Sequence, residues 1–515
     1  MIGVASMAVD TRRMRRILLT VHKFFPNHRA GTEVLTLKVA QELQRRGYDI
    51  LVVTANPPDL DARHPVGEES ADYVYEGVPV HVVGEPLRLK GYTFQHEYLH
   101  PGIGAHFDRI LEKYGPDLVH VFHAQNLSAS IIDAARRRGI PVIASTTDFW
   151  FVCPIVQLKR PDGAICRGPS KLALNCLSCY TPRLFPPISE FTEALQKRYS
   201  VLVKLMAALP VPLPELAMKT LYATYKAGKL SSAIEATISR PDVLRDAANK
   251  LAAIMVPTRL MRDIFVENGV RAELIHHIPF GLDTQPLVPF QQKTASEILR
   301  VGFIGTIYEH KGVDLLIEAF QTLPPDAQAT LTIYGDLNQF PDYGARMRAL
   351  AERPCPHSKN ISFGGTFPNS KLGEVLSTID LLVVPSRWYE NTPLVIQSAL
   401  AAKTPLIVTN LGGMSELVKH EVNGLLFQLN DSSSLREQLL RVLNEPALLQ
   451  RFRDNIAPER TTSEMVDDIV EVYGRVLPAR KSDRHGCLVP AQVRGTIAAA
   501  KPDPSRDMIH NPMGE

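Results

Sequence analysis

Glu390 stands in the segment Pro385-Ser386-Arg387-Trp388-Tyr389-Glu390-Asn391-Thr392-Pro393-Leu394, after an apolar strand and ahead of a helix that runs to about Ala402. Thr392 suits the N-cap of that helix and Pro393 its first turn, where a missing N–H costs nothing. The amides just beyond, those of Leu394 and Val395, then point at whatever lies before the helix, and such a terminus favours a phosphate. Glu390, on the turn, faces the crevice at the carboxyl ends of the strands, where open α/β sheets take their ligands. A surface glutamate before a capped helix is the plainer reading. A second segment, Gly302-Phe303-Ile304-Gly305-Thr306-Ile307-Tyr308-Glu309-His310-Lys311-Gly312, puts glycine directly after a strand and a lysine six residues later. The glycine lets a ligand approach the backbone, and Lys311 offers a point charge to a diphosphate. The Gly-x4-Gly-Lys-[Ser/Thr] pattern is absent, and no Gly-x-Gly-x-x-Gly follows the first strand, which argues against a P-loop enzyme and a simple dehydrogenase.

Two further groups of residues could do chemistry. His123 and Asp148 each follow a strand end at the same edge, where either can orient a substrate hydroxyl or simply bond its own loop. Cys153, Cys166, Cys176 and Cys179 are four of the six cysteines and fall within 27 positions, the last two as Cys-x-x-Cys. Reduced thiols so grouped suit a structural tetrahedral zinc, although the gaps of 12 and 9 residues are unlike a standard finger. An iron–sulfur cluster takes the same ligands, and four thiols in a folded loop are the third reading.

The elements that position these residues follow from apolar periodicity. Apolar runs at Ile17–Thr20, Ile50–Thr54, Val78–Val83, Leu118–Phe122 and Pro141–Ser145 read as strands separated by helices, among them Leu127–Arg138. Leu35, Val39 and Leu43 recur at spacing four, with Gly47 as a stop. Residues from Cys153 to Pro241 break the rhythm: a cysteine-rich loop is followed by a helical stretch, Glu190–Ile238. Alternation resumes at Ala252–Pro257. A polar stretch, Thr284–Ser296, reads as the interdomain linker. Strands at Arg300–Ile304, Leu331–Tyr334, Ile361–Phe363, Leu381–Val384 and Leu406–Val408 form a second unit, with Val313–Leu323 its clearest helix. Strands alternating with helices predict doubly wound parallel sheets. The reading is an N-terminal domain over 15–285 with an insertion at about 153–245, a C-terminal domain over 297–475, and a disordered tail over 480–515.

In this order the motifs resemble the retaining glycosyltransferases of family 4, whose fold is GT-B, two facing Rossmann-like domains. The resemblance rests on Phe303-Ile304-Gly305 with Lys311-Gly312, on Val384-Pro385-Ser386 with Tyr389 to Pro393, on Thr404 to Val408, and on Gly412-Gly413-Met414-Ser415-Glu416-Leu417-Val418 with Asn423 to Phe427. Gly31, Asp117 to Val121, Val256-Pro257-Thr258 and Pro279 to Asp283 extend it over roughly residues 15–150 and 250–475. The resemblance implies that Lys311 binds the diphosphate of a nucleotide-sugar donor and that Glu390 contacts the sugar hydroxyls. It places Gly305, Thr306, Asn391, Thr392, Leu394 and Val395 around the donor, and Thr366 and Phe367, within Gly364–Phe367, beside the base. Gly31 and Thr32 fall on the acceptor side with His123 and Asp148. It implies no cofactor for catalysis, because the leaving diphosphate helps to deprotonate the acceptor hydroxyl on the same face. Two positions depart from the family pattern: Ser398 replaces a second glutamate on the ribose hydroxyls, and Thr306 a basic residue.

Composition narrows the partners. Lys+Arg 57 against Asp+Glu 54 gives a net charge of +3, too balanced to imply a nucleic-acid partner. No apolar run reaches membrane-spanning length, and Ile17–Val21 is too short for a secretory signal, so a cytoplasmic location is expected. Lys197, Arg198, Lys204, Lys219, Lys226 and Lys229 lie among apolar residues over 190–238, a pattern that fits either a core-facing helix or one resting on an anionic membrane beside a lipid-linked acceptor. The functional expectation is sugar transfer to a saccharide or lipid-linked acceptor, by resemblance in envelope or exopolysaccharide assembly. A nucleotide-sugar isomerase and a catalytically inactive nucleotide-binding relative are the alternatives.

Overall fold

The computed structural model describes residues 15–55, 70–89, 93–184 and 213–477. The expected tail beyond 480, and the part of the helical stretch up to residue 212, lie outside them. Two sheets carry the chain. The first contains β1 (Arg16–Val21), β2 (Asp49–Ala55), β3 (Ser70–Tyr75), β4 (Val78–Val83), β5 (Leu118–Val121), β6 (Val142–Ser145), β7 (Ala253–Val256) and β8 (Ile275–His277), in the order β3-β4-β2-β1-β5-β6-β7-β8. The second contains β9 (Leu299–Ile304), β10 (Ala329–Tyr334), β11 (Ile361–Gly365), β12 (Leu381–Val384), β13 (Leu406–Thr409) and β14 (Gly424–Phe427), in the order β11-β10-β9-β12-β13-β14.

All pairings are parallel except β3 with β4. Parallel strands are covered by helices on both faces, which is why β1, β5, β12 and β13 are mostly apolar and buried along almost their whole length, the polar Thr20, His120 and Thr409 included. The edge strand β3 was not expected. Its sequence, Ser-Ala-Asp-Tyr-Val-Tyr, is half exposed and joins β4 through Glu76-Gly77, both at positive φ (45° and 81°), a two-residue hairpin turn.

The presumed linker is not a loose segment. Gln285–Phe290 forms a 3₁₀ turn with Leu287 buried, and Lys293 donates from Nζ to the carbonyls of Leu376 and Ala402 at 2.9 Å each. Burial pushes the Lys293 ammonium down to about 7. The last helix also departs from the expected boundary. Thr462–Val476, opened by a Thr461/Glu464 capping box, buries Met465, Val466, Ile469, Val472 and Tyr473 in the core of the first sheet. The Tyr473 hydroxyl and His120 Nδ1 are 2.7 Å apart in that core.

The chain therefore crosses between units twice, at 281–284 and 458–462, and the crossings lie side by side: Leu282 N–H donates to Arg460 O at 2.9 Å and Thr462 N–H to Leu282 O at 3.2 Å. Gly281 permits this approach, since a Cβ there would sit 2.1 Å from Thr461 O. Gly281→Ala is expected to cost about 1–3 kcal/mol through forced backbone separation. Chemical denaturation would show it as a lower midpoint, and an unchanged midpoint would deny the close crossing.

Within the insertion, helix Leu213–Asn249 turns Ala233, Ala236, Thr237, Arg240, Leu244 and Ala247 inward at helical spacing. Arg240 Nη2 donates to Trp150 O at 2.7 Å, and Tyr98 bonds Ser239 Oγ at 2.7 Å. The second half of this helix is thus a core-facing one. Lys197, Arg198 and Lys204, and the side chains of Lys219, Lys226 and Lys229, lie outside what is described. No helix among the described residues is long and apolar enough to cross a membrane.

Candidate functional site

The carboxyl ends of both sheets open on one crevice, a cavity of about 490 Å³. On the side of the second sheet, β9 leads through Gly305 into a short turn, Glu309–Lys311, ended by Gly312 at φ 70°. A Cβ on Gly312 would sit 2.1 Å from Pro385 O, so glycine lets this turn lie against the loop after β12. That contact sets Lys311 Nζ 2.6 Å from Glu390 Oε1. The same oxygen accepts from Trp388 Nε1 at 2.8 Å and Ser386 Oγ at 2.9 Å. Burial works to raise the Glu390 carboxyl, but the charge of Lys311 and the donors from Lys311 and Trp388 outweigh it and hold the group below the ordinary range. Three donors on Oε1 leave Oε2 for a ligand.

The helix after Glu390 spans Leu394–Ala401, and its N-cap is Pro393, with no side-chain capping bond. The expected capping by Thr392 is therefore corrected: Pro393 at ψ 117° is still extended, so the helix starts one residue later. The opening amides remain free of a side-chain cap. Opposite them begins helix Gly31–Arg45, with N-cap Ala30 and again no side-chain cap. A Cβ on Gly31 would meet Leu394 Cδ1 at 3.8 Å, so two helix N-termini face one space. Both dipoles favour an anion there.

Turn Gly412-Gly413 backs the glutamate loop. Gly413 N–H donates to Glu390 O at 3.1 Å, and a Cβ on Gly413 would lie 1.8 Å from Asn391 O. Gly413→Ala should displace Glu390 and lower any activity that depends on this carboxylate at least tenfold, an effect of about 1.4 kcal/mol on the barrier. Initial rates decide it, and a rate within twofold of wild type would rule out that coupling.

Contacts also run between the two units. Asn391 Nδ2 donates to Thr147 O at 2.9 Å. Glu416 accepts the backbone N–H groups of Arg259 and Leu260 at 2.8 and 2.9 Å, so a carboxylate of one unit caps helix Arg259–Glu267 of the other. Glu416→Ala is expected to cost about 1 kcal/mol, the value of such a cap, readable as a lower melting temperature.

Family comparison adds the decisive observation. Residues 286–458 match the family described as Glycosyl transferases group 1, and residues 30–168 match the Glycosyl transferase 4-like domain. The chain carries a group 1 glycosyltransferase domain, with a glycosyltransferase 4-like domain ahead of it. Among curated relatives, the chain is 33% identical over 234 residues to the Bacillus subtilis (strain 168) glycosyltransferase YtcC, a match covering 41% of the chain and 56% of YtcC. It is 26% identical over 213 residues to mannosylfructose-phosphate synthase of Agrobacterium fabrum, covering 39% and 46%. The matches span about half the length of these relatives. The fold resembles that of Anabaena Alr3699/HepE, solved with UDP and glucose, at a TM-score of 0.56 and 16% identity over 89% of this chain and 99% of that one. Sucrose-phosphate synthase from Thermosynechococcus elongatus matches at 0.56 and 16% over 90% and 98%. The two parallel-sheet domains are thus a GT-B pair.

Most of the expected glycosyltransferase site residues line one crevice. On one side stand Gly305, Thr306, Lys311, Thr366, Phe367, Glu390, Asn391, Thr392, Leu394 and Val395, and on the other Gly31, Thr32 and Asp148. Two do not. Ser398 is buried on its helix away from the crevice lining. His123 is buried behind Asp148, its Nε2 2.6 Å from Asp148 Oδ2. Its Nδ1 accepts from Gln125 N–H at 2.9 Å, so the neutral ring carries its proton on Nε2 and donates to the carboxylate.

The four cysteines converge on one small cavity, but no group of three or more His, Cys, Asp or Glu side chains among the described residues is arranged to hold a metal ion. The expected structural zinc, or iron–sulfur cluster, is not supported. Burial pushes the Cys153 thiol up to about 11 and Cys176 to about 12, which keeps them protonated and apolar. Cys166 Sγ instead accepts from Gly168 N–H at 3.4 Å and Asn175 Nδ2 at 3.7 Å.

Sequence reasoning missed Ser386 and Trp388 as ligands of Glu390, and it missed His22 and Glu33. The first pair stood inside the segment already singled out. Glu33, two residues after Gly31 in a helix's first turn, and His22, one residue past β1, offered only the weaker signal of polar residues at strand and helix ends.

Proposed function

We propose that the chain transfers a glycosyl group from a nucleoside-diphosphate sugar to a hydroxyl of a saccharide or lipid-linked acceptor, with retention of configuration. The observation that carries this reading is the Lys311–Glu390 pair facing the start of helix Gly31–Arg45 across one crevice. Lys311 and the amides of Leu394 and Val395 neutralise the departing diphosphate without reorganising. Glu390 fixes the donor sugar through Oε2, while Asp148, backed by His123, orients the acceptor hydroxyl. Thr366 and Phe367 flank the base. UDP and UDP-glucose in the HepE structures support a nucleotide-sugar donor. Envelope or exopolysaccharide assembly is the setting that fits a lipid-linked acceptor.

Thermal unfolding against UDP, GDP, ADP, dTDP and CDP and their common sugar conjugates tests the donor site. A ligand at a hundred times its Kd adds about 2.7 kcal/mol. The expected result is a shift with one base that disappears in Lys311→Ala. No shift with any of them would overturn the reading. Once a donor is known, the anomeric configuration of the product by NMR decides retention.

One observation favours a second reading, nucleotide binding without turnover. Ser398 is buried, so helix Leu394–Ala401 offers no carboxylate to ribose hydroxyls at that position. A protein of this kind would shift its melting point with nucleotide yet release no nucleotide from any sugar conjugate.

A further inference from the structure

On the acceptor side, four ionisable side chains from four places in the sequence form a continuous array. Asp148 Oδ2 is 2.6 Å from His123 Nε2. The His123 ring lies 4.2 Å, centroid to centroid, from the ring of His22. His22 Nε2 is 3.5 Å from Glu33 Oε1. Glu33 is 1% exposed, its Oε2 has no hydrogen-bond partner, and both it and His22 line the crevice. A carboxyl group so placed is costly unless it acts on something or stays neutral.

We propose that Glu33 is a positioning residue of the acceptor side, acting through His22 and His123 to set the orientation and proton of the Asp148–His123 pair that meets the acceptor. This inference deepens the transferase reading of the same crevice and rests on it.

The groups that face Glu33 are few. His22 and Lys23 follow β1, His28 and Arg29 lie in the loop before its helix, and His123 and Asp148 stand at the ends of β5 and β6. Burial lifts the Glu33 carboxyl to about 7, against smaller opposing effects from nearby backbone N–H groups, His123 and Lys23. Burial, and then the neighbouring His123, Lys23 and His28, hold His22 well below the usual imidazole range. Below neutral pH the array is therefore a neutral acid beside a neutral imidazole. Above it, an ionised Glu33 places a negative charge beside a still neutral His22, changes the field on His123 and alters how firmly Nε2–H is given to Asp148.

The test needs no substrate. Histidine is labelled at the ring carbon in the full chain, and the His22 and His123 signals are assigned by their loss in His22→Gln and His123→Gln. The signals are then followed by NMR from pH 5.5 to 8.5 in wild type, Glu33→Gln and Glu33→Asp. Wild type is expected to show an inflection near pH 7 in both signals. Glu33→Gln should abolish it. Glu33→Asp, whose carboxyl is withdrawn by one methylene, should move it by at least half a pH unit, and it decides the matter if the Gln variant fails to fold. Unchanged titration of His123 in the folded variants overturns the proposal. Because no donor enters the measurement, failure of the array is distinguishable from failure of the transferase reading. With a donor and acceptor identified, Glu33→Gln should alter the pH profile of kcat/KM for the acceptor and leave the donor KM within twofold.

Discussion

Lys311→Met combined with Glu390→Gln is expected to recover most of the stability that Lys311→Met alone removes, while transfer stays abolished. The two side chains meet at 2.6 Å with only 20% and 11% of their surfaces exposed. Removing the ammonium alone leaves a carboxylate buried among Trp388, Ser386 and apolar walls, and breaking such a pair from one side costs roughly 3–5 kcal/mol. Neutralising both ends removes the stranded charge, because a glutamine still accepts from Trp388 and Ser386. Catalysis follows a different rule. In the proposed transfer, a preorganised charge on the leaving group and one on the donor sugar are each worth on the order of 10²–10³ in rate, and neither returns in the double variant. Melting temperature and initial rate of nucleotide release, measured on all four proteins, test this. A double variant that melts below Lys311→Met would show that the pair is not a coupled buried unit.

Glu33→Gln is expected to stabilise the protein at pH 8 and to leave it nearly unchanged at pH 5. The folded-state carboxyl sits at about 7, against 4.5 for an ordinary glutamate. The folded chain therefore keeps a proton that the unfolded chain gives up. Stability contributed by the neutral carboxyl is whole below about pH 4.5, falls as pH rises, and is lost above about pH 7. The gap corresponds to about 3 kcal/mol at full extent. Glutamine carries no ionisation to oppose, so the advantage of the variant grows across that window. Urea midpoints at pH 5, 6.5 and 8 measure it. A difference that does not vary with pH would mean that Glu33 is ionised and solvated in the folded chain.

Much of this was readable in the sequence, and the reasons are local. Parallel strands buried on both faces give unbroken apolar runs, so Leu381–Val384 and Leu406–Val408 appear in the structure almost as expected. Glu390 and Lys311 could be singled out because each stands in a turn between a strand and a helix. What was not legible depends on contacts distant in sequence. β3 is an edge strand with a polar face and too little apolar character to register. The docking of Thr462–Val476 on the first sheet shows only once His120 and Tyr473, 353 residues apart, are seen to bond. Glu33, His22, His123 and Asp148 gain meaning from proximity that no spacing encodes. The cysteines mislead for the converse reason: nearness in sequence suggested a ligand set, whereas Cys153 and Cys176 are buried as thiols and Cys166 accepts from Gly168 and Asn175.

The return of the last helix also fixes an order of events during synthesis. The first sheet is threaded early, yet the wall that covers Leu19 and Val21 on one of its faces, including Val466, Ile469 and Val472, is among the last described parts of the chain to leave the ribosome. Until then that face of the first unit is covered only in part, by helix Gly31–Arg45, while the second unit, whose buried core comes from residues between 287 and 456, can already close. The half that begins translation therefore cannot complete its core until the last helix is made, and a fragment ending near residue 285 would expose apolar surface that helix Thr462–Val476 covers in the whole molecule.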